Sequence, residues 1–168
     1  MLMRFVWLLL LMSMAPTVKA GSVQDTFGSG VLGVLWGTSL TDVAGVYPQG
    51  DHVFAVTPGC RAYWVKDGQM FLGIPRERSG VLFGFDKQNH VAIASVAFEF
   101  ERKDQLRTTL TGLLGVPSLD TRSTQKAQYG WRSADGMAVN VTEFGDGPQR
   151  LVWLTVSMPG YKAVKDGC

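Results

Sequence analysis

Hydrophobic residues form one continuous block near the start of the chain and become regularly spaced after residue 30. The block covers residues 5–12, follows a single basic residue, and precedes Pro16 and the sequence Val18-Lys19-Ala20. Such an arrangement, with short residues at the third and first positions before a cut, is typical of an export signal. The block is shorter than the roughly 20 apolar residues that span a bilayer. The pattern therefore predicts a cleaved signal peptide over residues 1–20, followed by a flexible, Gly- and Ser-rich leader over residues 21–30.

Two stretches carry the spacing of amphipathic helices. In the first, Ser39 and Asp42 are three residues apart, as in a helix-capping box, and Pro48 ends the short helix. The second covers residues 103–115 and ends at a Gly-Val-Pro stop. Its apolar residues recur at helical spacing and predict one buried face: Leu106, Leu110, Leu113 and Leu114.

Alternating apolar and polar residues predict strands in most of the remaining chain. The predicted strands cover residues 31–36, 52–57, 60–66, 69–73, 81–85, 91–100, 127–132, 137–144 and 150–157. The dipeptide Asp67-Gly68 and residues 86–89 predict hairpins, whereas residues 118–126 are expected to be a polar loop. This order predicts a single α+β domain over residues 31–157, with an antiparallel sheet and two helices packed on one face. Residues 158–168 are expected to form a C-terminal tail.

The two halves of this domain echo each other. Each predicted helix stops near a proline and is followed by a Trp-containing strand with an Asp-Gly turn. The first copy reads Trp64-Val-Lys-Asp-Gly68 and the second reads Trp131-Arg-Ser-Ala-Asp-Gly136. The echo indicates a tandem of two helix-plus-strands units, and coincidence among common turn dipeptides is the alternative.

Composition and charge exclude several classes of protein. The chain has 168 residues, of which 46% are hydrophobic and 18% charged, so it is neither a disordered chain nor a coiled coil. Its formal charge of +2 comes from 16 basic and 14 acidic residues. Loss of Arg4 and Lys19 with the signal peptide leaves 14 of each and a net charge of zero. The exported chain therefore has no overall charge that would attract nucleic acid or an anionic membrane.

Both cysteines, Cys60 and Cys168, lie in the part that would be exported. An even number of cysteines in an exported chain predicts a disulfide between them, and a free thiol on a mobile tail is the alternative. The two cysteines and two histidines are scattered without metal-ligand spacing, so we expect no metal site and no cofactor.

Candidate catalytic residues are few. The chain has no nucleophile elbow, zinc-protease helix or phosphate-binding glycine loop. His52 at a strand start and His90 in a hairpin turn are interpreted as exposed polar residues, and Glu99 and Glu101 as charges at a strand end. We therefore expect no catalytic residue. An enzyme of unfamiliar type would need one of the histidines beside an acid or a serine in a cleft.

Aromatic residues on the predicted strands are the best candidates for a binding surface. The candidates are Tyr63, Trp64, Trp131 and Trp153, and any two or three of them that line up on an uncovered sheet face would form an apolar platform for a partner. Packing of these rings beneath the two helices is the alternative.

Three segments carry a resemblance to known modules. They are Val34-Leu-Trp-Gly-Thr-Ser-Leu-Thr-Asp-Val43, the helix end Leu113-Leu-Gly-Val-Pro117 and the strand Tyr129-Gly-Trp131. Together they resemble small exported bacterial α+β modules of BamE/SmpA-like or beta-lactamase-inhibitor-like architecture. The resemblance covers most of residues 31–157 and implies helices on an antiparallel sheet and protein binding, without any catalytic residue. The chain departs from the outer-membrane assembly lipoproteins because no lipidation cysteine follows the signal.

These observations favour a periplasmic or secreted, non-enzymatic module that binds another envelope or secreted protein. An inhibitor, an immunity protein and an envelope-assembly accessory protein all fit this description. No nucleic-acid partner is expected, and no membrane span remains after signal cleavage. The alternative is a carrier of a small ligand or lipid, whose mark would be an apolar groove of several hundred Å³ between the helices and the sheet.

Overall fold

An eight-stranded antiparallel sheet dominates the fold. The structure is a computed structural model, and it describes residues 21–54, 61–66, 70–76, 80–122, 127–144 and 150–161. The expected signal peptide, the Asp67-Gly68 turn, Cys60 and Cys168 lie outside these residues.

The elements follow one another in two comparable series. The chain begins with α1 (Val23–Phe27), β1 (Gly30–Val31), β2 (Val34–Leu35) and α2 (Leu40–Val46). Four strands follow: β3 (Asp51–Phe54), β4 (Arg61–Val65), β5 (Val81–Phe85) and β6 (Val91–Glu99). A 3₁₀ turn (Phe100–Arg102) leads into α3 (Lys103–Leu114). Four more strands complete the series: β7 (Leu119–Arg122), β8 (Ala127–Arg132), β9 (Ala138–Phe144) and β10 (Leu151–Ser157).

The strand order in the large sheet is β3-β4-β5-β6-β10-β9-β8-β7. Each group of four strands is a meander, and the last strands of the two groups, β6 and β10, pair at the centre. Every neighbouring pair is antiparallel. The α+β class and the antiparallel sheet are therefore confirmed.

One face of the sheet carries the hydrophobic core. Residues paired directly across antiparallel strands lie on the same face. One such row crosses six strands and consists of Tyr63, Phe83, Ala94, Val156, Val139 and Trp131. All six are buried, together with Leu106 and Leu110 from α3. We call the side of the sheet that bears this row the core face.

An aromatic residue of the core face bonds to the end of a helix in each half. The Tyr63 hydroxyl donates to the carbonyl oxygen of Tyr47, which directly follows α2, at 2.8 Å. Trp131 Nε1 donates to the carbonyl oxygen of Gly115, which directly follows α3, also at 2.8 Å. The last carbonyls of a helix lack partners within the helix, so these bonds satisfy them in a partly buried setting.

The start of the described chain is more ordered than its composition indicates. The expected flexible leader over residues 21–30 instead contains α1. Ser22 and Asp25 form a reciprocal capping box, and Val23 and Phe27 are buried. This box supplies hydrogen-bond partners to two backbone N–H groups of the first turn, which allows a helix of only five residues.

Three predicted strand and loop assignments differ from the structure. The predicted strand over 31–36 is a hairpin of β1 and β2, because Leu32 and Gly33 have positive φ values of 54° and 78° and reverse the chain. Residues 70–74 form only an isolated Phe71–Ile74 bridge, since β4 pairs with β3 and β5. The expected polar loop over 118–126 contains the edge strand β7, which pairs with β8.

Candidate functional site

The four aromatic residues proposed for a binding surface lie on opposite faces of the sheet. Tyr63 and Trp131 belong to the core face and are only 2% and 4% exposed. Their polar atoms donate hydrogen bonds to carbonyl oxygens at helix ends, so both side chains belong to the core and not to a binding surface. Trp64 and Trp153 occupy the alternate positions and are half-buried.

Trp64 and Trp153 meet on the face opposite the core. Their ring centroids are 5.9 Å apart and the ring planes are tilted by 48°. Trp64 is on β4 and Trp153 is on β10, so β5 and β6 lie between the two backbones. The indoles therefore extend toward each other above these two strands. We call this side of the sheet the tryptophan face.

Small residues beneath the indoles make this approach feasible. Ala97 on β6 pairs directly with Trp153 and is fully buried, although it lies on the tryptophan face. Its N–H donates to the carbonyl oxygen of Gly80 at 2.7 Å, which places a second small residue in the same row. We expect a large side chain at position 97 to compete for space with the Trp153 indole, which is directly opposite it.

Uncharged polar groups adjoin the indoles on the side of β9 and β10. The hydroxyls of Ser95 and Thr155 are 3.0 Å apart. Thr142 pairs directly with Trp153 and is half-buried. Asn140 extends over Gly130, where an added Cβ would lie only 2.7 Å from Asn140 Oδ1. This half of the face therefore presents hydroxyl and amide groups over a floor of small residues.

Charged residues of the tryptophan face lie at its borders. Asp51 begins β3, Glu99 ends β6 and Arg132 ends β8, and Lys66 directly follows β4. All four are exposed, and their formal charges sum to zero. The centre of the face, within the strands described, is neutral.

A second surface feature is a groove of about 600 Å³ between the start of α1, the end of α3 and the turn after β8. Apolar groups come from Val23, Leu114, Val116 and Trp131. Polar groups also line it: Ser22, Gln24, Ser118, Arg132, Ser133 and Asp135. Sequence reasoning missed this groove because its walls come from three distant segments. One of them, α1, was expected to be unstructured.

The pKa of Asp135 at the rim of this groove lies below its ordinary value. The Ser133 hydroxyl donates to the carboxylate, and the Met137 N–H donates to Oδ1 at 3.2 Å, and both bonds favour the charged form.

We expect Ser133→Ala to raise this pKa, and Ser133→Thr to restore it, in a carboxyl NMR titration. Because these bonds lower the pKa of Asp135 in the folded chain, they stabilise the folded state at pH values above the unfolded pKa. This stabilisation is lost as the pH falls through the folded pKa. An unchanged titration in Ser133→Ala would contradict this assignment.

The residues considered for catalysis are exposed, and Glu99 among them lies at the border of the tryptophan face. His52 is exposed and lies edge-on to the Tyr63 ring at 5.2 Å. His90 is exposed in the β5–β6 turn, where Asp86 Oδ1 accepts its backbone N–H at 2.9 Å. Glu99 and Glu101 are exposed. In the described ranges, no group of three or more His, Cys, Asp or Glu residues is placed to hold a metal ion.

Neither the described helices nor comparisons with other proteins assign this chain to a known class of protein. None of the helices in the part of the chain that the structure describes is long and apolar enough to cross a membrane. Comparison of the chain with protein-family models, with curated proteins and with solved structures found no match.

Proposed function

We propose that this chain is an exported, non-enzymatic module that binds another protein through the tryptophan face. The observation that carries the proposal is the Trp64–Trp153 pair, which is partly exposed on the side of the sheet opposite the core. Tryptophan is enriched among the residues that dominate binding energy at protein interfaces. Export to the periplasm or to the exterior is supported by the signal-like pattern of residues 1–20.

The packing of the helices supports an accessible tryptophan face. Tyr47, directly after α2, stacks on Phe83 of the core face with ring centroids 5.9 Å apart. Arg107 of α3 lies over the ring of Tyr129, also on the core face, at 5.1 Å. We infer that α2 and α3 share the core face and that α1, which packs against α3, lies there too. Among the described residues, this leaves the opposite face without a helix.

The tandem arrangement gives the Trp pair a central position. Each half consists of a helix followed by a four-stranded meander, and the halves join where β6 pairs with β10. Trp64 belongs to the first half and Trp153 to the second, so their contact crosses the junction. We propose that the two halves are repeated units, and that one binding surface extends over both.

The dimensions of the sheet fit a stable protein interface. Eight strands about 4.8 Å apart give a width of about 34 Å, and strands of four to nine residues, about six on average, add about 20 Å in the other direction. The resulting area of about 700 Å² is close to the roughly 800 Å² that each partner contributes to a standard interface. An aromatic centre and a charged border also match the usual anatomy of such surfaces.

The proposal predicts that the Trp pair is required for capture of a partner. Replacing both Trp64 and Trp153 with alanine should weaken binding about 100-fold or more, since truncation of a single hot-spot tryptophan costs about 2 kcal/mol or more and 100-fold corresponds to about 2.8 kcal/mol. The measurement is affinity capture from a cell-envelope extract of the source organism, followed by titration with the protein that is recovered.

The matched control replaces two exposed apolar residues near the end of α3. Leu113 is 37% exposed and Val116 is 86% exposed, so the double alanine variant removes surface apolar area away from the tryptophan face. It should bind within about twofold of the unmodified chain. Circular dichroism confirms that each variant is folded. Equal capture by the Trp double variant would refute the proposed surface.

The second candidate is the small-ligand or lipid carrier. The groove of about 600 Å³ favours it, because the volume is that of a ligand site. Half of its lining residues are polar or charged, however, and it opens at the surface beside Val116. Native mass spectrometry of the purified chain separates the two functions, since a carrier would retain a bound lipid or small molecule.

A further inference from the structure

We propose that the partner presents an uncharged stretch of polypeptide to the tryptophan face, with an apolar side chain against Trp64 and Trp153. Its backbone amides would bond to the hydroxyl and amide groups beside Trp153. This inference rests on the proposed function and specifies the chemistry of the partner at that surface.

The distribution of charge on the face is the first argument. Within the described strands, the central positions carry no ionisable side chain, and Asp51, Lys66, Glu99 and Arg132 stand at the borders. A charged group of the partner that was buried at the centre would lose its hydration without gaining an opposite charge, which is costly. A neutral partner segment avoids this cost.

The polar groups beside Trp153 support the same conclusion. The indoles of Trp64 and Trp153 form the apolar part of the face, and the β9 side of Trp153 carries small and polar side chains. Thr142, Asn140 and the Ser95–Thr155 hydroxyl pair offer both hydrogen-bond donors and acceptors. Backbone amides of an extended segment need both kinds of group.

The orientation of the indoles favours a polypeptide over a glycan. The rings are tilted by 48° and pack on each other, so together they do not form one flat platform for successive sugar rings. A single aliphatic or aromatic side chain can instead pack against both rings. The estimated area of the face also matches a folded protein partner.

Substitutions of opposite charge at Thr142 test this inference. The unmodified chain, expressed from its first residue, is immobilised and screened with a phage-displayed library of random twelve-residue peptides. We expect the enriched peptides to be uncharged and to contain an aromatic or aliphatic residue. Their synthetic forms should bind about tenfold or more weakly to both Thr142→Lys and Thr142→Asp. Their affinity should change less than about twofold between 0.05 and 0.5 M NaCl.

The matched control introduces the same charges elsewhere. Val46 on α2 is 55% exposed, and Val46→Lys and Val46→Asp should bind like the unmodified chain. If one charge at Thr142 strengthens binding and the other weakens it, the partner segment is charged and the inference fails while the proposed surface stands. If no enriched peptide responds to Thr142, the inference fails, and the Trp64→Ala/Trp153→Ala variant then decides whether the proposed surface stands. Selective binding of neutral oligosaccharides from a glycan array, lost in both Thr142 variants, would also overturn the polypeptide assignment.

Discussion

Replacement of Leu110 by alanine is expected to lower the free energy of unfolding by about 3–4 kcal/mol. Leu110 is fully buried, one turn after the equally buried Leu106 on α3. The substitution removes three buried carbon atoms and leaves a cavity between the helix and the sheet, and both effects destabilise the folded chain. Urea unfolding followed by tryptophan fluorescence measures the change.

Leu113 on the same helix provides the control. It is 37% exposed, so Leu113→Ala loses less apolar contact and should cost no more than about 1 kcal/mol. Both substitutions make the same chemical change and both favour helix formation slightly, so the difference between them reports burial. Equal losses of stability would contradict the assigned packing of α3.

The pattern of leucines in α3 shows what the sequence could predict. Helical spacing located the helix within one residue of its observed ends and identified Leu106 and Leu110 as core residues. It also assigned Leu113 to the buried face, which is only partly correct. The buried stripe of a helix is set by what packs on it, and residue spacing alone cannot give its width.

Strand pairing was harder to predict because it depends on distant partners. The hairpin over 81–100 was recognised from its turn, and β5 pairs with β6 as expected. The polar segment that contains β7 has little strand character of its own and is a strand because β8 offers a free edge. The same limit applies to residues 69–73, which the sequence predicts as a hairpin partner of residues 60–66, whereas the actual neighbours of β4 are β3 and β5.

The sequence predicts only part of the candidate site. Alternation along β4 places Tyr63 and Trp64 on opposite faces, so at most three of the four aromatic residues can share one surface. Which of the two faces was the core depended on the register of all eight strands. The meeting of Trp64 with Trp153 depends in addition on small residues at 80 and 97, between strands that are far apart in sequence.

Loss of a disulfide between Cys60 and Cys168 is expected to have the largest effect on stability. In the loop-entropy model, a bond that closes a ring of about 109 residues stabilises the folded state by about 4–5 kcal/mol. Both cysteines lie outside the described residues, so the pairing is a proposal that rests on the sequence and on where the flanking strands end.

The strand register places the start of β4 and the end of β10 at the same end of the strands. Ala62, Gly84, Ile93 and Ser157 form one row across β4, β5, β6 and β10. Three strand spacings separate Ala62 from Ser157, a distance of about 14 Å. The seven residues that follow Tyr161, up to Cys168, can span up to about 24 Å when extended. The tail is therefore long enough to reach a cysteine two residues before Ala62.

Thiol alkylation of the exported protein without reduction tests the pairing directly. Mass spectrometry should show no alkylated cysteine before reduction and two afterwards, on a chain that begins at Gly21 if the signal peptide is cut after Ala20. The Cys60→Ser/Cys168→Ser double variant should then unfold at a lower urea concentration than the oxidised chain. It should match the unmodified chain measured with a reductant, because both lack the same cross-link. Two thiols alkylated before reduction would exclude the disulfide, and the double variant would then keep the stability of the unmodified chain.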